Sequence, residues 1–183
     1  GTASLAGAAE GEDHSELYNP IAIGHAAHAT ATETIAMGLE AKASGQKSYA
    51  FGSQANATAT NATAIGTDAS ALANESVAIG QAAKASGQNS NAYGSQANAS
   101  GTSSLAVGRG SVSSGDSAVA IGNDSTVTGD SAVAIGASAT STGKWSTALG
   151  DSANAKGKSS VALSNDSYAK DDNSVAHPEK RKC

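Results

Sequence analysis

Large apolar residues recur along this chain in pairs, with one Ala between the two members of each pair. The first tetrads of this kind are Ile21-Ala22-Ile23-Gly24, Ile35-Ala36-Met37-Gly38 and Tyr49-Ala50-Phe51-Gly52, and each begins at the fourteenth position after the start of the one before. Alternation with a period of two places the large residues on one face of a β-strand and the small residues on the other. The pattern therefore predicts a short strand in every repeat.

The repeat continues without slippage through most of the chain. Its positions are numbered here from 1 to 14 in the unit Ser76–Asn89, so that Gly80 stands at position 5. Position 3 is Ala in twelve units out of twelve, and position 12 is a second small residue, Gly seven times and Ala three times. Gly tolerates the positive φ of tight turns, so positions 5 and 12 predict two turns per unit. A helix is disfavoured because a Gly at every seventh position would destabilise it.

A second strand is predicted between the two turns. Positions 8 and 10 are small, as in Ala83 and Ala85, and position 9 between them is polar, as in Lys84. If the small faces of the two strands oppose each other, each unit forms one flattened coil with a lumen of Ala, Ser and Gly. Coils stacked about 4.8 Å apart would form a rod about 50 Å long. The predicted fold is all-β, a parallel solenoid with two short strands per coil.

Positions 2 and 4 hold most of the large side chains. Of the 29 Val, Ile, Leu, Met, Phe, Tyr and Trp residues, 20 occupy these two positions, the last being Val175. They point away from the lumen and would form a continuous apolar stripe, larger than soluble monomers normally expose. We therefore predict a cyclic oligomer of parallel copies, although the pattern does not choose between two copies and three. The predicted interface comprises Ile21, Ile23, Ile35, Met37, Tyr49, Phe51, Ile65, Val77, Ile79, Tyr93, Leu105, Val107, Val119, Ile121, Val133, Ile135, Leu149, Val161 and Leu163.

The composition favours a thin, regular coil over an ordinary packed core. Of 183 residues, 41 are Ala and only 23 are Leu, Ile, Val or Phe, whereas interiors are normally filled by large side chains. The net charge of −5, with 11 Lys and Arg against 16 Asp and Glu, offers no basic surface for nucleic acid. We also expect no membrane insertion by this chain and no signal peptide, since no long apolar run is present.

The segment Ser-Val-Ala-Ile-Gly at residues 76–80, followed by Ala at positions 8 and 10 and Gly at position 12, resembles the head repeats of trimeric autotransporter adhesins, the YadA-like family. The resemblance covers residues 19–172. It implies a left-handed parallel β-roll assembled as a homotrimer on the bacterial cell surface, held at the outer membrane by a stalk and an anchor outside this chain. It also implies a virulence-related adhesin that attaches to host cells or to matrix proteins such as collagen or fibronectin, and autoaggregation.

The two ends of the chain depart from the repeat. Residues 173–183, which begin Asn-Ser-Val-Ala-His-Pro, resemble the start of the family's neck, where the head narrows onto the stalk. Residues 1–18 lack the register and are predicted to be a lead-in or a cap. A cap would be useful because an open sheet edge invites pairing with other chains.

No pattern in the chain predicts catalysis or a cofactor. The pair His25-x-x-His28 has a spacing seen in metal sites, but the strand pattern places His25 in a turn and turns His28 outward, so we expect solvated side chains. No Ser has the sequence context of a nucleophile elbow. Carboxylates such as Asp116, Asp124 and Asp130 lie in turns, where Asp is favoured for backbone reasons. We therefore expect a protein that is not an enzyme.

Three outward residues are candidates for a ligand surface. Lys84 and Asn98 occupy position 9, and Trp145 lies in a turn position that is otherwise small or polar. Trp145 either packs on a neighbouring coil or is an exposed anchor for a partner. Five other large residues lie off the stripe and are predicted to cover seams or to form an outer adhesive patch: Leu39, Leu72, Val112, Val127 and Tyr168.

An alternative function is binding of ice or carbohydrate by a flat, regularly spaced polar face. Such a face needs one outward position held in a single residue type, whereas position 11 varies from Thr30 through Leu72 to Lys170. A repetitive enzyme such as a polysaccharide lyase would need clustered acids, bases or cation ligands, and none is evident. The sequence thus favours an adhesive head.

Overall fold

The computed structural model describes residues 5–6 and 19–177, and it confirms the predicted all-β solenoid with one coil per repeat. Each complete unit contributes a three-residue strand at positions 2–4, such as Val77–Ile79, and a two-residue strand at positions 9–10, such as Lys84–Ala85. The described residues form strands and turns and include no helix. Alternation of large and small residues is therefore sufficient to define the strands, as the sequence predicts.

The strands form two parallel sheets of 12 strands each. Sheet A contains the odd-numbered strands β1 (Leu5–Ala6), β3 (His28–Ala29), β5 (Lys42–Ala43), β7 (Asn56–Ala57), β9 (Ser70–Ala71), β11 (Lys84–Ala85), β13 (Asn98–Ala99), β15 (Val112–Ser113), β17 (Thr126–Val127), β19 (Thr140–Ser141), β21 (Asn154–Ala155) and β23 (Tyr168–Ala169). Sheet B contains the even-numbered strands β2 (Ile21–Ile23), β4 (Ile35–Met37), β6 (Tyr49–Phe51), β8 (Thr63–Ile65), β10 (Val77–Ile79), β12 (Asn91–Tyr93), β14 (Leu105–Val107), β16 (Val119–Ile121), β18 (Val133–Ile135), β20 (Thr147–Leu149), β22 (Val161–Leu163) and β24 (Val175–Ala176).

The register of both sheets is one repeat. Val77 of β10 pairs with Thr63 on one side and with Asn91 on the other. The backbone N–H of Val77 donates to the carbonyl of Ser90 at 3.0 Å. Equivalent residues of successive coils are consequently stacked in rows along the axis of the solenoid.

Strand β1 departs from this register. Its Leu5 and Ala6 pair with His28 and Ala29, so β1 covers the edge of sheet A at the first coil. Otherwise the lead-in predicted for residues 1–18 lies outside the described residues, as does most of the predicted neck, from residue 178 onward.

The lumen between the two sheets is filled by small side chains. Positions 1, 3, 8 and 10 point inward, and Ser76, Ala78, Ala83 and Ala85 are completely buried. The largest fully buried side chain is Val127. Val127 was predicted to cover a seam or to form part of an outer adhesive patch, but it fills the lumen instead, because position 10 faces the lumen whatever residue occupies it.

The prediction that the recurring small residues have positive φ is confirmed at position 5 and wrong at position 12. In both turns of a coil the left-handed residue lies two places after the small one, at positions 7 and 14, with φ between 52° and 65°. Only Gly110 among these residues is a glycine. Gly at position 5 has φ between 131° and 140°, a range that favours Gly. At position 12 a glycine such as Gly87 meets a limit of space instead: a Cβ on Gly87 would overlap the carbonyl of Gly101 in the next coil.

Candidate interaction surfaces

The outer face of sheet B carries the apolar stripe, defined as the 20 large apolar residues at positions 2 and 4. None of them is buried within the chain, and the exposed fractions reach 53% for Ile23, 41% for Ile135 and 63% for Val175. The register stacks them in two rows, as Val119 lies between Leu105 and Val133. The position-2 row is interrupted by the polar residues Thr63, Asn91 and Thr147. All the residues predicted for the oligomer interface therefore lie on one continuous face.

This face is unusual for a parallel sheet. Parallel sheets normally have both faces covered, whereas sheet B is covered only on its lumen side. Complete burial of a large aliphatic side chain stabilises a protein by roughly 1.5–3 kcal/mol. The stripe is therefore the part of this surface whose burial by a partner would be most favourable. Its role as an interface remains a prediction.

The outer face of sheet A is mostly polar and contains two of the predicted ligand residues. Lys84 is exposed and lies next to Asn98 on the adjacent coil. The Oδ1 atom of Asn98 is buried and has no hydrogen-bond partner among the described residues. The structure thus brings Lys84 and Asn98 together in the position-9 row.

Trp145 lies elsewhere, in the turn that precedes β20 and four repeats further along the chain. Its backbone φ is 61° and 49% of the residue is exposed. The Nζ atoms of Lys144 and Lys158 lie 4.9 Å and 5.1 Å from the centre of its ring. Trp145 therefore contacts a residue of the next coil and is also exposed, which combines the two alternatives predicted for it.

Tyr168, at position 9, is a second aromatic residue with an ammonium group over its ring. Tyr168 is 49% exposed, and Lys156 Nζ lies 5.3 Å from the centre of its ring. The sequence predicts that Tyr168 lies off the stripe, but the lysines around the two rings were not predicted. The available signal was their spacing, since Lys144 and Lys158 are one repeat apart, as are Lys156 and Lys170.

The turn carboxylates have structural partners. Asp116 Oδ1 accepts a hydrogen bond from the backbone N–H of Thr102 at 2.8 Å, and Asp130 Oδ1 accepts one from the N–H of Asp116 at 3.3 Å. Asp124 instead contacts Arg109, at 3.3 Å. These contacts join neighbouring coils, so the three carboxylates are occupied in holding the solenoid together.

The histidine pair is not part of a larger ligand set. His25 is exposed in a turn and His28 points outward from β3. Over the residues that the structure describes, no group of three or more His, Cys, Asp or Glu is placed to hold a metal ion. Within residues 19–177 no cavity is enclosed, and no helix of the described chain could cross a membrane.

Comparison with known proteins gives a family match along the repeats. The family model described as YadA head domain repeat (2 copies) matches residues 21–41, 43–69, 71–97, 92–111, 99–125, 113–139 and 141–163. Among solved structures, the collagen-binding domain of the Yersinia adhesin YadA is 23% identical, with 99% of this chain and 85% of that chain covered and a TM-score of 0.45. No curated protein matches this chain.

Proposed function

This chain belongs to the family of YadA head domain repeats, and on that premise we propose that it is the head of a homotrimeric surface adhesin. The family is one of non-enzymatic adhesins. The head would be displayed on the bacterial cell surface, held at the outer membrane by a stalk and an anchor outside this chain. Its partners would be its own copies and host molecules.

The observation that carries the proposal is the exposed apolar stripe on sheet B. Twenty large side chains lie outward in two stacked rows, and the lumen between the sheets holds only small side chains apart from Val127. Burial of this face by sister copies would supply the apolar core that one copy lacks.

The arrangement of the stripe also favours a closed ring. Parallel copies packed around a common axis would meet their two neighbours through two different surface patches. Contacts of this kind generate a cyclic assembly when the rotation closes. Three copies is the number that the family resemblance implies, and the whole of the predicted interface would be buried in the ring.

Attachment would use the surfaces that remain exposed in the ring. The outer face of sheet A repeats along the axis and would be presented three times, so weak contacts with host cells or with collagen or fibronectin would add up to tight binding. Lys84 and Asn98 lie on this face. Association of heads from different cells would produce autoaggregation by the same surfaces.

The test is the mass of the chain in solution together with its binding to matrix proteins. Light scattering should give three times the 17.6 kDa of one chain. The immobilised trimer should bind collagen, fibronectin or an epithelial cell surface at micromolar concentration. A folded species of 17.6 kDa would contradict the assembly, and a trimer that bound none of these targets and no second head would contradict the adhesive role.

A further inference from the structure

Trp145 occupies a position that costs backbone strain and provides little burial. The other residues at position 14 are Asn, Glu, Lys or Ser. A φ of 61° is unfavourable for a bulky side chain, and with 49% of the residue exposed, packing offers limited compensation. Every other residue at position 14 has a similar φ, between 52° and 59°, so the unusual feature of this turn is the bulk of the indole and not the backbone conformation.

The two lysines at Trp145 are held in place by its ring. Lys144 Nζ and Lys158 Nζ lie 4.9 Å and 5.1 Å from the ring centre, within the range of a cation–π interaction. They come from adjacent coils at the same repeat position. The contacts restrict two flexible side chains and so arrange their charges before any ligand arrives.

A second pair of lysines extends this surface. Lys156 and Lys170 also occupy one repeat position on adjacent coils, and Lys156 Nζ lies 5.3 Å from the ring centre of Tyr168. Lys156 belongs to the same turn as Lys158, so the two pairs are contiguous. We call the set Lys144, Trp145, Lys156, Lys158, Tyr168 and Lys170 the Trp145 patch.

The patch is locally basic on a chain whose net charge is −5. This edge of the solenoid carries the four lysines between Asp130 at one end and Asp171 and Asp172 at the other. Asp130 pairs with Lys144 at 3.8 Å, and Asp172 Oδ1 accepts a hydrogen bond from the backbone N–H of Lys158 at 2.8 Å. The other acidic residues of the same stretch, Asp151 and Asp166, lie in the opposite turn of their coils. The four ammonium groups exceed the three bounding carboxylates by one charge, so the patch attracts an anion.

The geometry points to a linear sulfated polysaccharide as the ligand of the Trp145 patch, a proposal that rests on the proposed adhesive function. Lysines on adjacent coils are spaced about 4.8 Å apart along the axis, a row that suits a chain with repeated sulfate groups. Thr142, one repeat before Lys156, offers an exposed hydroxyl to the sugar. With no cavity enclosed by the described residues, an extended chain fits better than a small molecule.

The aromatic rings favour this ligand over nucleic acid. Sequence-tolerant binding of single strands relies on bases that stack on aromatic faces. In the Trp145 patch the rings are engaged by ammonium groups, at 4.9–5.3 Å. The rings consequently hold the cations and are not free platforms for bases.

Immobilised heparin is the probe for this inference, with the full chain as analyte. Lys144→Gln/Lys158→Gln should weaken binding by about tenfold, and the slope of log Kd against log salt concentration should fall by about two, by analogy with counterion release from DNA. Lys47→Gln/Arg109→Gln removes the same charge from turns outside the Trp145 patch and outside sheet A, and is the matched control, with an expected change below about twofold.

A third variant tests the role of the ring. Trp145→Ser introduces the residue found at this position in other units, so the fold should be retained, as measured by circular dichroism. Heparin affinity should fall about threefold because the two lysines are no longer held in place. An unchanged affinity would overturn the assigned role of the ring in the site.

Several results would overturn the ligand assignment. These are equal binding to desulfated heparin, equal loss in the control variant, and equal or tighter binding of single-stranded DNA or polyglutamate. Two further measurements on Lys144→Gln/Lys158→Gln separate the adhesive trimer from the polysaccharide site. They are its mass by light scattering and its binding to collagen or fibronectin. Loss of heparin binding alone in that variant supports the patch, whereas wild-type protein that forms an adhesive trimer but ignores heparin refutes only this inference.

Discussion

Backbone conformation decides which residue each turn position accepts. At position 5, ten units have Gly with φ between 131° and 140°, and the unit that ends the solenoid has Ser164 with φ of 99°. A residue with a Cβ in this region carries strain of about 1–3 kcal/mol. The strain is confined to the backbone of one residue, so its cost can be measured by a single substitution.

Ser164→Gly should stabilise the protein by about 1 kcal/mol, because it removes this strain at a small cost in chain entropy. The hydrogen bond that Ser167 Oγ donates to the carbonyl of residue 164, at 2.8 Å, involves only the backbone of that residue and should survive. Denaturant unfolding monitored by circular dichroism would measure the change.

The matched control for this substitution is Ser100→Gly, at a residue without positive φ. It should destabilise the protein by about 0.5–1 kcal/mol, since Gly adds freedom to the unfolded chain and relieves no strain. A loss of stability in both variants would show that φ at position 5 is not strained.

At the scale of the coil, side chains supplement the backbone ladder where the turns leave N–H groups unpaired. Position 13 is such a place, and the N–H of Lys158 donates to Asp172 Oδ1 of the next coil at 2.8 Å. Asp116 Oδ1 accepts a hydrogen bond from the N–H of Thr102 in the same way. The carboxylates found in turns therefore act as links between coils.

Asp116→Ala should destabilise the protein by about 0.5–1 kcal/mol, because an exposed N–H exchanges its carboxylate for water. Asp116→Asn should retain most of the stability, since Asn74 already bonds the N–H of Thr60 at 3.3 Å from the same position. The measurement is the midpoint of thermal unfolding.

Asp151→Ala is the matched control for charge. It removes an exposed carboxylate for which the described residues provide no hydrogen bond or ion pair. Its effect on the midpoint should be small. Equal shifts for Asp116→Ala and Asp151→Ala would indicate a general charge effect and contradict the link between coils.

At the scale of the whole molecule, the outer faces of the two sheets differ in polarity. The outward residues of sheet A are mainly polar, whereas those of sheet B are mainly large and apolar. A parallel sheet with one uncovered apolar face is incomplete as a folding unit. We therefore expect folding and assembly to be coupled, so that stability depends on protein concentration.

If the proposed trimer buries the stripe, Ile121→Asp/Ile135→Asp should abolish it, because two charges per copy would enter an apolar interface, each at a cost of several kcal/mol. Light scattering should show monomers or aggregates, and the melting temperature should fall. Thr126→Asp/Thr140→Asp, which lies on sheet A in the corresponding strands, should leave the mass unchanged. If both variants remained trimers, the stripe would not be the interface.

Much of this architecture can be predicted from the sequence because its period is strict. Two rows of large residues and four rows of small ones identify the strands, the lumen and the stripe, and the family match covers the same repeats. Val127 occupies position 10, and this position, and not the apolar character of the side chain, determines that it faces the lumen. The positive φ at positions 7 and 14 was missed because Ala, Glu, Gln and Lys are poor indicators of a left-handed backbone.

Residue periodicity, which is local information, determines the order of the strands, their inward and outward faces and the register of one repeat. The tertiary structure decided what meets across coils: the Asp116 carboxylate against the N–H of Thr102, and the ammonium groups of two coils around Trp145. These contacts depend on turn geometry and side-chain reach between residues about one repeat apart. The pattern of apolar and polar residues encodes which face a side chain occupies, but not which atoms it touches.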